Sequence, residues 1–496
     1  MSSSLPPQKN FDSDSQPQSQ PTSYLSRIQL GSQQAPPLEP HQADWTPARQ
    51  QNKRSKSRLQ TPQVLIIGFA LLIFVGTLLL KLPASSADPS NPIGWMDAFF
   101  TATSAITVTG LAVRVTALDF SRFGQVMILI LLQVGGVGFI AFSVLLLRLI
   151  GRRVTLNERF IIQQSLGAEQ ATGVVRLALY VLGVTLSLEA VGAFLLWLRW
   201  RETVPDALWQ AIFHAISSYC NAGFDLFSGT DRGVLFGYGS DFSTLAVLGT
   251  LIVLGGFGVT VLYDLASFRV DRMLALNTRI TLVLTLILTV LGTFLMMLDK
   301  AIYTDVLAHL PFQEKLWVSL FTIVSARTAG VTILPLEQLS EATQAIIMIW
   351  MFIGGAPASM AGGVSTSAVG VLLISVIATA KGHSAAVAFG RTIPTETIFK
   401  AVAIMTVSTL LVAVMTLALS LLGKGGILAE GFEVISAFAN TGYSLNFTSS
   451  LSNWGRFLIA FTMFWGRLGP LTIVVALAQS TQPSLIHHPE EPVILG

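Results

Sequence analysis

The stretch Thr107-Val108-Thr109-Gly110-Leu111 closes a short apolar segment and lies between two much longer apolar runs. The same arrangement returns three more times, at Cys220-Asn221-Ala222-Gly223-Phe224, Arg327-Thr328-Ala329-Gly330-Val331 and Asn440-Thr441-Gly442-Tyr443. Successive glycines are separated by 113, 107 and 112 residues. Self-similarity at a fixed spacing indicates an internal repeat. The sequence therefore predicts four copies of one unit: a long helix, a short helix, a glycine-containing loop and a second long helix.

The composition is that of a membrane protein. Hydrophobic residues make up 52% of the 496-residue chain and charged residues only 11%, whereas soluble proteins carry about 25% charged residues. The single cysteine, Cys220, excludes an intramolecular disulfide and a multi-cysteine metal site. A net charge of +3 from thinly spread basic residues argues against a nucleic-acid partner. An intramembrane enzyme is disfavoured, because His214, the only histidine near a short segment, has no partner at metal-ligand spacing.

Eight apolar runs are long enough to cross a bilayer, which takes about 20 residues in a helix. They lie near 63–81, 122–149, 174–199, 243–266, 278–298, 342–380, 397–422 and 454–479. Shorter segments of 12 to 15 residues are predicted to form re-entrant half-helices at 95–106, 206–219, 312–326 and 428–439. The predicted fold is an all-α membrane protein with four pseudo-repeated helix–pore loop–helix units, giving eight spanning helices and four re-entrant half-helices around a central pore.

Changes in composition divide the chain. Residues 1–61 are rich in Ser, Gln and Pro and are predicted to be a disordered cytoplasmic tail. The repeats are predicted at 62–153, 154–271, 272–383 and 384–481, followed by a cytoplasmic tail at 482–496. On the N-terminal side of the membrane 16 basic residues flank the runs, against 10 on the opposite side. The positive-inside rule therefore places both termini in the cytoplasm.

The four glycine segments are the candidate ion-binding residues. Non-helical backbone is tolerated at membrane depth only where it is buried in protein or lines water. Four such segments on one axis form a ring of carbonyl oxygens that can replace the hydration shell of an alkali cation. Glycine suits such a ring because it reaches backbone angles that other residues avoid. The predicted ring comprises Thr107, Val108, Thr109, Gly110, Asn221, Ala222, Gly223, Thr328, Ala329, Gly330, Asn440, Thr441 and Gly442.

A second glycine-rich feature follows each of these segments, and in the third repeat it reads GGAPASMAGGVST at 354–366. A helix does not run easily through one proline and four glycines. The stretch is predicted to be an intramembrane gate loop across the pore, the alternative being a static kink. Its predicted gate residues are Gly354, Gly355, Gly362, Gly363 and Ser365. The corresponding glycines of repeats 1 and 2 are interpreted as close-packing positions between helices, namely Gly135, Gly136, Gly138, Gly255, Gly256 and Gly258.

Charged side chains inside apolar runs are costly and usually face the protein interior or a water-filled path. Arg467 is predicted to belong to the gate, where it either holds the loop through backbone carbonyls or forms a positive barrier; the alternative is a structural arginine away from the pore. Arg327 is interpreted as a structural brace. Glu189 is either the partner of a buried cation or an inter-helix hydrogen-bonding group. Asp225, two residues after Gly223, is predicted to make the pore mouth acidic.

Six segments carry a resemblance to a known family: FFTATSAITVTGL (99–111), FHAISSYCNAGFDLF (213–227), FTIVSARTAGV (321–331), FGRTIPTETIFKA (389–401), FEVISAFANTGYS (432–444) and FWGRLGPLT (464–472). On these segments the chain resembles, from about residue 62 to 480, the superfamily of potassium transporters that includes the Trk, Ktr and HKT proteins, and above all the bacterial Ktr membrane subunits. The resemblance implies a potassium-selective filter, because glycine at Gly110 goes with potassium and serine with sodium. It also implies that 354–366 is the gate loop and that Arg467 is its motif arginine. Family gate loops commonly read GGIKT, and here Ser365 replaces the lysine.

The same resemblance implies partners. It predicts a homodimer with one pore in each protomer, and a cytoplasmic, KtrA-like ring of nucleotide-binding regulatory subunits. No cofactor is expected on this chain, since the nucleotide would bind the regulatory ring and K⁺ is the transported ion at the filter. The predicted function is potassium uptake across the plasma membrane, driven by the membrane potential. The resemblance implies that sodium stimulates this uptake. The alternative is a sodium-selective carrier or a sodium/potassium symporter on the same scaffold.

Overall fold

The computed structural model describes residues 61–137, 174–229, 241–300, 302, 307–308, 310–422 and 425–469. Several predicted features lie outside these residues. They are the N-terminal tail up to residue 60, the start of repeat 2, the C-terminal tail at 482–496, and the last parts of the predicted spans at 122–149 and 454–479.

The described residues form fourteen α-helices and one β-hairpin. The helices are α1 Thr61–Lys81, α2 Trp95–Ile106, α3 Thr116–Asp119, α4 Arg122–Val137, α5 Val174–Trp200, α6 Ala207–Tyr219, α7 Phe242–Asp271, α8 Leu276–Met297, α9 Phe312–Thr328, α10 Glu341–Phe352, α11 Thr366–Ala380, α12 Thr395–Leu422, α13 Ile427–Ala439 and α14 Asn453–Leu468. Single-turn 3₁₀ helices lie at Pro83–Ser85, Leu336–Gln338 and Thr448–Ser450.

Serine hydroxyls define where several of these helices begin. Ser340 accepts a hydrogen bond from the backbone N–H of Thr343 at the start of α10, and Ser452 accepts one from Gly455 at the start of α14. A serine side chain in this position satisfies one of the N–H groups that the first turn of a helix leaves free. Residues local in sequence therefore mark these helix starts.

A short helix precedes each of the four glycine segments, as predicted: α2, α6, α9 and α13. The predicted bounds 95–106 coincide with α2, whereas α9 continues two residues past the predicted end at 326, to Thr328. The third segment therefore starts from a longer helix than the other three.

Three helices in the described part of the chain are long and apolar enough to cross a membrane: Ala178–Trp200, Leu276–Met297 and Thr395–Leu422. A fourth span results if the bent pair Phe242–Gly258 and Thr260–Phe268 is counted as one. Shorter apolar helices lie at Leu65–Lys81, Arg122–Val137, Glu341–Phe352 and Thr366–Ala380. The count of eight spans therefore stays a prediction.

Two predicted spans are interrupted. The run at 342–380 is divided into α10 and α11, as its glycine and proline content predicts. The run at 243–266, predicted as one spanning run, also contains a break. Helix α7 bends by 102° at Gly258, which adopts φ +71°. Glycine alone takes up such an angle without a steric penalty, so the break falls on this residue.

A small hairpin departs from the all-α expectation. Strands β1 (Val387–Ala388) and β2 (Arg391–Thr392) pair antiparallel in the connection between α11 and α12. The two loop residues, Phe389 and Gly390, have φ +51° and +73°. Positive φ at both positions is the geometry of a two-residue type I′ turn, whose twist matches that of the paired strands.

The hydrophobic core crosses the boundaries of the predicted repeats. One cluster packs Phe100 and Leu111 of repeat 1 against Val434 and Ile459 of repeat 4. Another brings Phe213 and other side chains of repeat 2 against helices α1, α2 and α4. The units therefore bury their apolar surface against one another. Large apolar side chains also remain exposed, with Leu421 at 89%, as expected for a surface facing lipid.

Candidate functional site

The four glycine segments form a closed ring. Each glycine has a positive φ, namely +88° at Gly110, +67° at Gly223, +63° at Gly330 and +96° at Gly442. A Cβ atom on each would lie 1.9–2.5 Å from a carbonyl oxygen of the next segment: Ala222 for Gly110, Ala329 for Gly223, Thr441 for Gly330, and Thr109 for Gly442. The contacts run from the first segment to the fourth and back to the first. Any side chain at these positions would collide with a neighbouring carbonyl.

A serine in each short helix braces the segment that follows. The backbone carbonyl of that serine accepts a hydrogen bond of 2.8–3.0 Å from the segment, in the pairs Thr109–Ser104, Ala222–Ser217, Gly330–Ser325 and Thr441–Ser436. The hydroxyls of Ser104 and Ser436 accept from Gly110 N and Gly442 N. Those of Ser217 and Ser325 donate to the carbonyls of Phe224 and Val331. The C-terminal ends of the short helices, which carry partial negative charge, are thus fixed next to the ring.

The sequence interpretation missed these four serines. A signal was present: Ser104, Ser217 and Ser436 lie six residues before their glycine, and Ser325 lies five before Gly330. The hydroxyls of these serines satisfy backbone groups that the non-helical segment leaves without a ladder partner.

The first, second and fourth glycine segments each contain a residue with positive φ that the third segment lacks. Val108, Asn221 and Asn440, each two residues before the glycine, have φ between +50° and +58°. The equivalent Thr328 is still helical. Asparagine tolerates the left-handed region, but a β-branched residue such as Val108 is an outlier there. Such outliers persist only where the surrounding structure over-determines them.

Side chains beside the ring link one segment to its neighbours. The Asn440 amide donates to Thr109 Oγ1 (2.8 Å) and to the Met463 carbonyl (2.9 Å). Thr109 Oγ1 is also 2.7 Å from Thr107 Oγ1. The buried Tyr443 hydroxyl donates to the carbonyls of Thr322 and Val331 in repeat 3. The third and fourth segments are therefore tied together, as are the fourth and the first.

Asn221 makes the corresponding link in repeat 2. In the amide orientation that satisfies both of its side-chain atoms, it donates to the Ile252 carbonyl (3.1 Å) and accepts from Gly256 N (3.0 Å). Its segment is thereby fixed to helix α7. The Asn221 side chain therefore binds main-chain groups of α7, whereas the ring itself is made of main-chain groups of the four segments.

A buried carboxylate joins repeats 1 and 4. Asp97 in α2 is 6% exposed and accepts from Arg114 Nε at 2.7 Å and from Arg456 Nη1 at 2.6 Å. Asp225, which follows the second segment, is half-buried. Its carboxylate accepts from the N–H groups of Phe227 and Ser228 and from the Ser228 hydroxyl. Asp225 therefore closes a turn, and because neutral donors do not remove the charge of a carboxylate, the acidic pore mouth at this residue stays a prediction.

The stretch between α10 and α11 is a folded loop held by its own backbone. Gly354 N donates to the Val364 carbonyl (2.9 Å), and Thr366 N donates to the Gly355 carbonyl (2.9 Å). Ser365 accepts from Ala368 N as the N-cap of α11. This explains what the residue at the usual lysine position does here, since serine caps a helix start well.

The loop lies against the ring and against the broken helix α7. A Cβ on Gly362 would be 2.2 Å from Asn440 Oδ1, and one on Gly363 (φ +76°) would be 3.4 Å from Ala439 Cα. On the α7 side, Ala356 N donates to the Gly256 carbonyl (2.9 Å). The α7 carbonyls just before the break at Gly258 therefore accept hydrogen bonds from the loop.

Two arginines bind this loop. Arg467 donates to the Met360 carbonyl in the loop and, from its other terminal nitrogen, to the carbonyls of Gly135 (2.5 Å) and Gly136 (3.2 Å) at the end of α4. Arg327 donates to the Gly354 carbonyl at 3.3 Å. Both therefore act on backbone carbonyls, and Arg467 connects repeats 1, 3 and 4.

The second glycines of repeats 1, 2 and 4 let helices approach the short helices closely. A Cβ on Gly135, Gly255 or Gly466 would lie 1.9 Å from the carbonyl of Ile106, Tyr219 or Phe438, respectively. Gly138, the last member of the first set, lies outside the described residues. The geometry at Gly135 and Gly255 is that of close packing; only Gly258 departs from it.

Other polar groups outside the ring have structural partners. Glu189 accepts from Gln133 Nε2 at 2.6 Å and contacts Cys220 Sγ at 3.6 Å, an inter-helix arrangement without a basic partner in the described part of the chain. His214 accepts from Leu226 N and stacks on Phe227. Among the described residues there is no group of three or more His, Cys, Asp or Glu side chains that could hold a metal ion.

The sequence matches the TrkH family of cation transport proteins over residues 42–487. It is 37% identical to the Ktr system potassium uptake protein B of Bacillus subtilis over 444 residues, covering 88% of this chain and 97% of that protein. It is 33% identical to the potassium/sodium uptake protein NtpJ of Enterococcus hirae over 455 residues, covering 90% and 99%.

Among solved structures, the fold is similar to the potassium transporter TrkH from Vibrio parahaemolyticus, with a TM-score of 0.68, 18% identity and 86% of each chain covered. The fold is therefore the mostly helical fold of that protein. The family consists of membrane cation transporters and not of enzymes. On the match over 446 of its 496 residues, this chain belongs to the TrkH family of cation transport proteins.

Proposed function

We propose that this cation transporter takes up potassium through the ring of four glycine segments, which acts as its selectivity filter. The observation that carries the proposal is the closed sequence of contacts in which each glycine abuts the carbonyl of the next segment. Main-chain oxygens held this way can coordinate a dehydrated alkali cation. The ring residues are those predicted from the sequence, from Thr107 to Gly442.

The driving force is the membrane potential. One elementary charge gains about 2.3 kcal/mol per 100 mV, so a potential of roughly 150 mV supports inward accumulation of a few hundredfold. No chemical step on this chain is needed. The four short helices contribute by aiming their C-terminal ends at the ring, which favours cations over anions.

The proposal is tested by ion flux through protein reconstituted in liposomes, comparing wild type with Gly110→Ser. A serine Cβ at this position would lie 2.2 Å from the Ala222 carbonyl. The ring must widen or shift there, and we expect the preference for potassium over sodium to fall by about tenfold or more, which corresponds to about 1.4 kcal/mol. An unchanged preference would contradict the assignment of the ring as the filter.

Loop 354–366 is the gate in this proposal, with Gly354, Gly355, Gly362, Gly363, Ser365 and Arg467 as its residues. Two contacts support it: the close approach of Gly362 to Asn440, and the hydrogen bonds of Arg467 to the loop and to α4. Opening requires the Arg467 side chain to release the Met360 carbonyl. Of the two roles considered for Arg467, the geometry favours holding the loop.

The wider architecture is proposed on the same basis. Eight spans and four half-helices in repeats at 62–153, 154–271, 272–383 and 384–481 would enclose the pore, with both termini cytoplasmic in the plasma membrane. A homodimer and a cytoplasmic nucleotide-binding ring are proposed partners, because a relative with 37% identity is named as a component of a Ktr system. Cross-linking of purified protein in liposomes, with and without such a ring, would test both.

A second candidate is sodium transport on the same scaffold. It is favoured by the relative named as a potassium/sodium uptake protein. Potassium flux in sodium-free medium distinguishes the two: a potassium uniporter keeps its flux, whereas a symporter loses it.

A further inference from the structure

Glu430 is an acidic side chain that the proposed pore does not use. It lies in the first turn of α13 and is fully buried, with 0% exposure. Neither of its carboxylate oxygens has a hydrogen-bond partner among the described residues. Burying an ionised carboxylate without a partner costs several kcal/mol. The position of Glu430 near the N-terminus of α13 returns only about 0.3–1 kcal/mol, so in its ionised form this side chain needs another partner.

One turn further along the same helix lies a second buried carboxylate, Glu433, which is fully satisfied. Its oxygens accept from the hydroxyls of Ser444 (2.8 Å) and Thr448. The two hydroxyls are themselves 3.0 Å apart. The loop at 444–448 therefore presents oxygen atoms to the side of α13 that carries Glu433.

Glu430 faces the same loop. Its Oε1 atom lies 3.2 Å from the position that a Cβ on Gly425 would occupy, and the Phe447 ring lies 2.5 Å from that position. Gly425 and Phe447 also line a cavity of about 520 Å³ that is bounded by Leu419, Ser450 and Ser452. The Glu430 carboxylate thus lies beside Gly425, which lines this cavity.

We propose that Glu430 and Glu433, with the hydroxyls of Ser444 and Thr448, hold an alkali cation at a site outside the glycine ring. Oxygen ligands of this kind suit hard cations. The hydroxyls stabilise the Glu433 carboxylate by hydrogen bonds, whereas the Glu430 carboxylate has no such donor among the described residues, and a monovalent cation supplies the partner that Glu430 lacks. The cation, Na⁺ or K⁺, enters past Gly425 and Phe447 and fastens the start of α13 to the loop that follows Gly442.

The experiment is calorimetric titration of the purified full-length protein in detergent, first with NaCl and then with KCl, each in choline chloride buffer. Wild type is compared with Glu430→Gln, which keeps the shape and removes the charge, and with Glu430→Asp, which keeps the charge. Glu341→Gln, at an exposed position, is the matched control. Sites in the ring are common to all four proteins, so the difference between isotherms reports the Glu430 site.

We expect Glu430→Gln to lose one binding event for at least one of the two salts, with affinity at least tenfold weaker, and Glu430→Asp to retain it. The salt that loses the event identifies the ion. The salt-dependent rise of the thermal unfolding midpoint should fall in Glu430→Gln alone, because a ligand stabilises only a protein that binds it.

Identical isotherms for wild type and Glu430→Gln would overturn the proposal. If Glu430→Gln also matches or exceeds the wild-type unfolding midpoint in every salt, Glu430 is a protonated acid and holds no ion. Lys424, which lies outside the described residues, is tested by Lys424→Gln. If that variant lowers the unfolding midpoint as Glu430→Gln does, and neither changes salt binding, the partner is the lysine. These experiments measure ion binding and stability and not ion flux. The Glu430 site can therefore be refuted without refuting the proposed potassium uptake.

Discussion

Replacing Gly330 by alanine should disrupt the ring at its closest contact. A Cβ at this position would lie 1.9 Å from the Thr441 carbonyl oxygen. The carbonyl would have to move about 1.1 Å to restore even a 3.0 Å contact. Gly330 also has φ +63°, which costs an L-residue about 1–2 kcal/mol, and overpacking adds about 1–3 kcal/mol. We expect Gly330→Ala to lower the free energy of unfolding by about 3 kcal/mol.

The matched control is Gly183→Ala in α5. Nothing lies within 4 Å of a Cβ built on Gly183, and this glycine is helical. Alanine is favoured over glycine in a helix by about 1 kcal/mol. The control should therefore be neutral or slightly more stable, with full potassium flux.

The assay combines tracer flux in liposomes with thermal unfolding in detergent. Losing about 1.4 kcal/mol of cation coordination lowers ion occupancy about tenfold, so flux through Gly330→Ala should fall at least that far at equal protein content. Wild-type flux together with a wild-type unfolding midpoint in Gly330→Ala would refute the idea that the ring is close-packed around an ion path.

The remaining predictions concern side chains that join separate repeats. Arg467→Gln removes charged hydrogen bonds to backbone carbonyls, each of which contributes about 1.5–3 kcal/mol. Because these bonds hold the proposed gate closed, we expect the basal potassium flux of this variant to rise about tenfold. The control Arg391→Gln, at an exposed position, should leave the flux unchanged. A flux no higher than wild type would rule out the holding role of Arg467. Asp97→Asn leaves the Arg456 guanidinium without its carboxylate and should lower the free energy of unfolding by about 2 kcal/mol. The control is Asp206→Asn, at a side chain that is 70% exposed, and it should change the free energy of unfolding by less than about 0.5 kcal/mol. Equal losses of stability in the two variants would contradict the idea that burial strengthens the Asp97 ion pairs.

Local signals in the sequence were sufficient for the parts of the site that lie within one repeat. Apolar run length predicted the short helix α2 at 95–106, and the recurrence of glycine predicted the four segments. Both predictions depend only on the composition and spacing of neighbouring residues, which are read directly from the sequence. The broken run at 342–380 was predictable for the same reason, since proline and glycine act on their own backbone. Gly258 carried a similar signal but was interpreted as a packing glycine, because one glycine in a helix is compatible with either outcome.

Contacts between repeats were not predictable. Arg467 binds Gly135, which lies 332 residues earlier in the chain, and Arg456 binds Asp97 at a separation of 359. No spacing rule links such residues, so the sequence left the role of Arg467 open and did not reveal the turn that Asp225 closes. The burial of Glu430 was invisible for the same reason.

The sequence by itself was sufficient to predict a membrane cation transporter, which the family match confirms, and it located four glycine segments at a regular spacing. Only the tertiary structure decided which carbonyl each glycine meets, that loop 354–366 is bound by Arg467 and by carbonyls at the break in α7, and that Glu430 lies buried without a bonded partner among the described residues. The reason is physical: backbone preference and hydrophobic period act over a few residues, whereas a hydrogen bond or a buried charge depends on which distant segments the fold brings within about 3 Å.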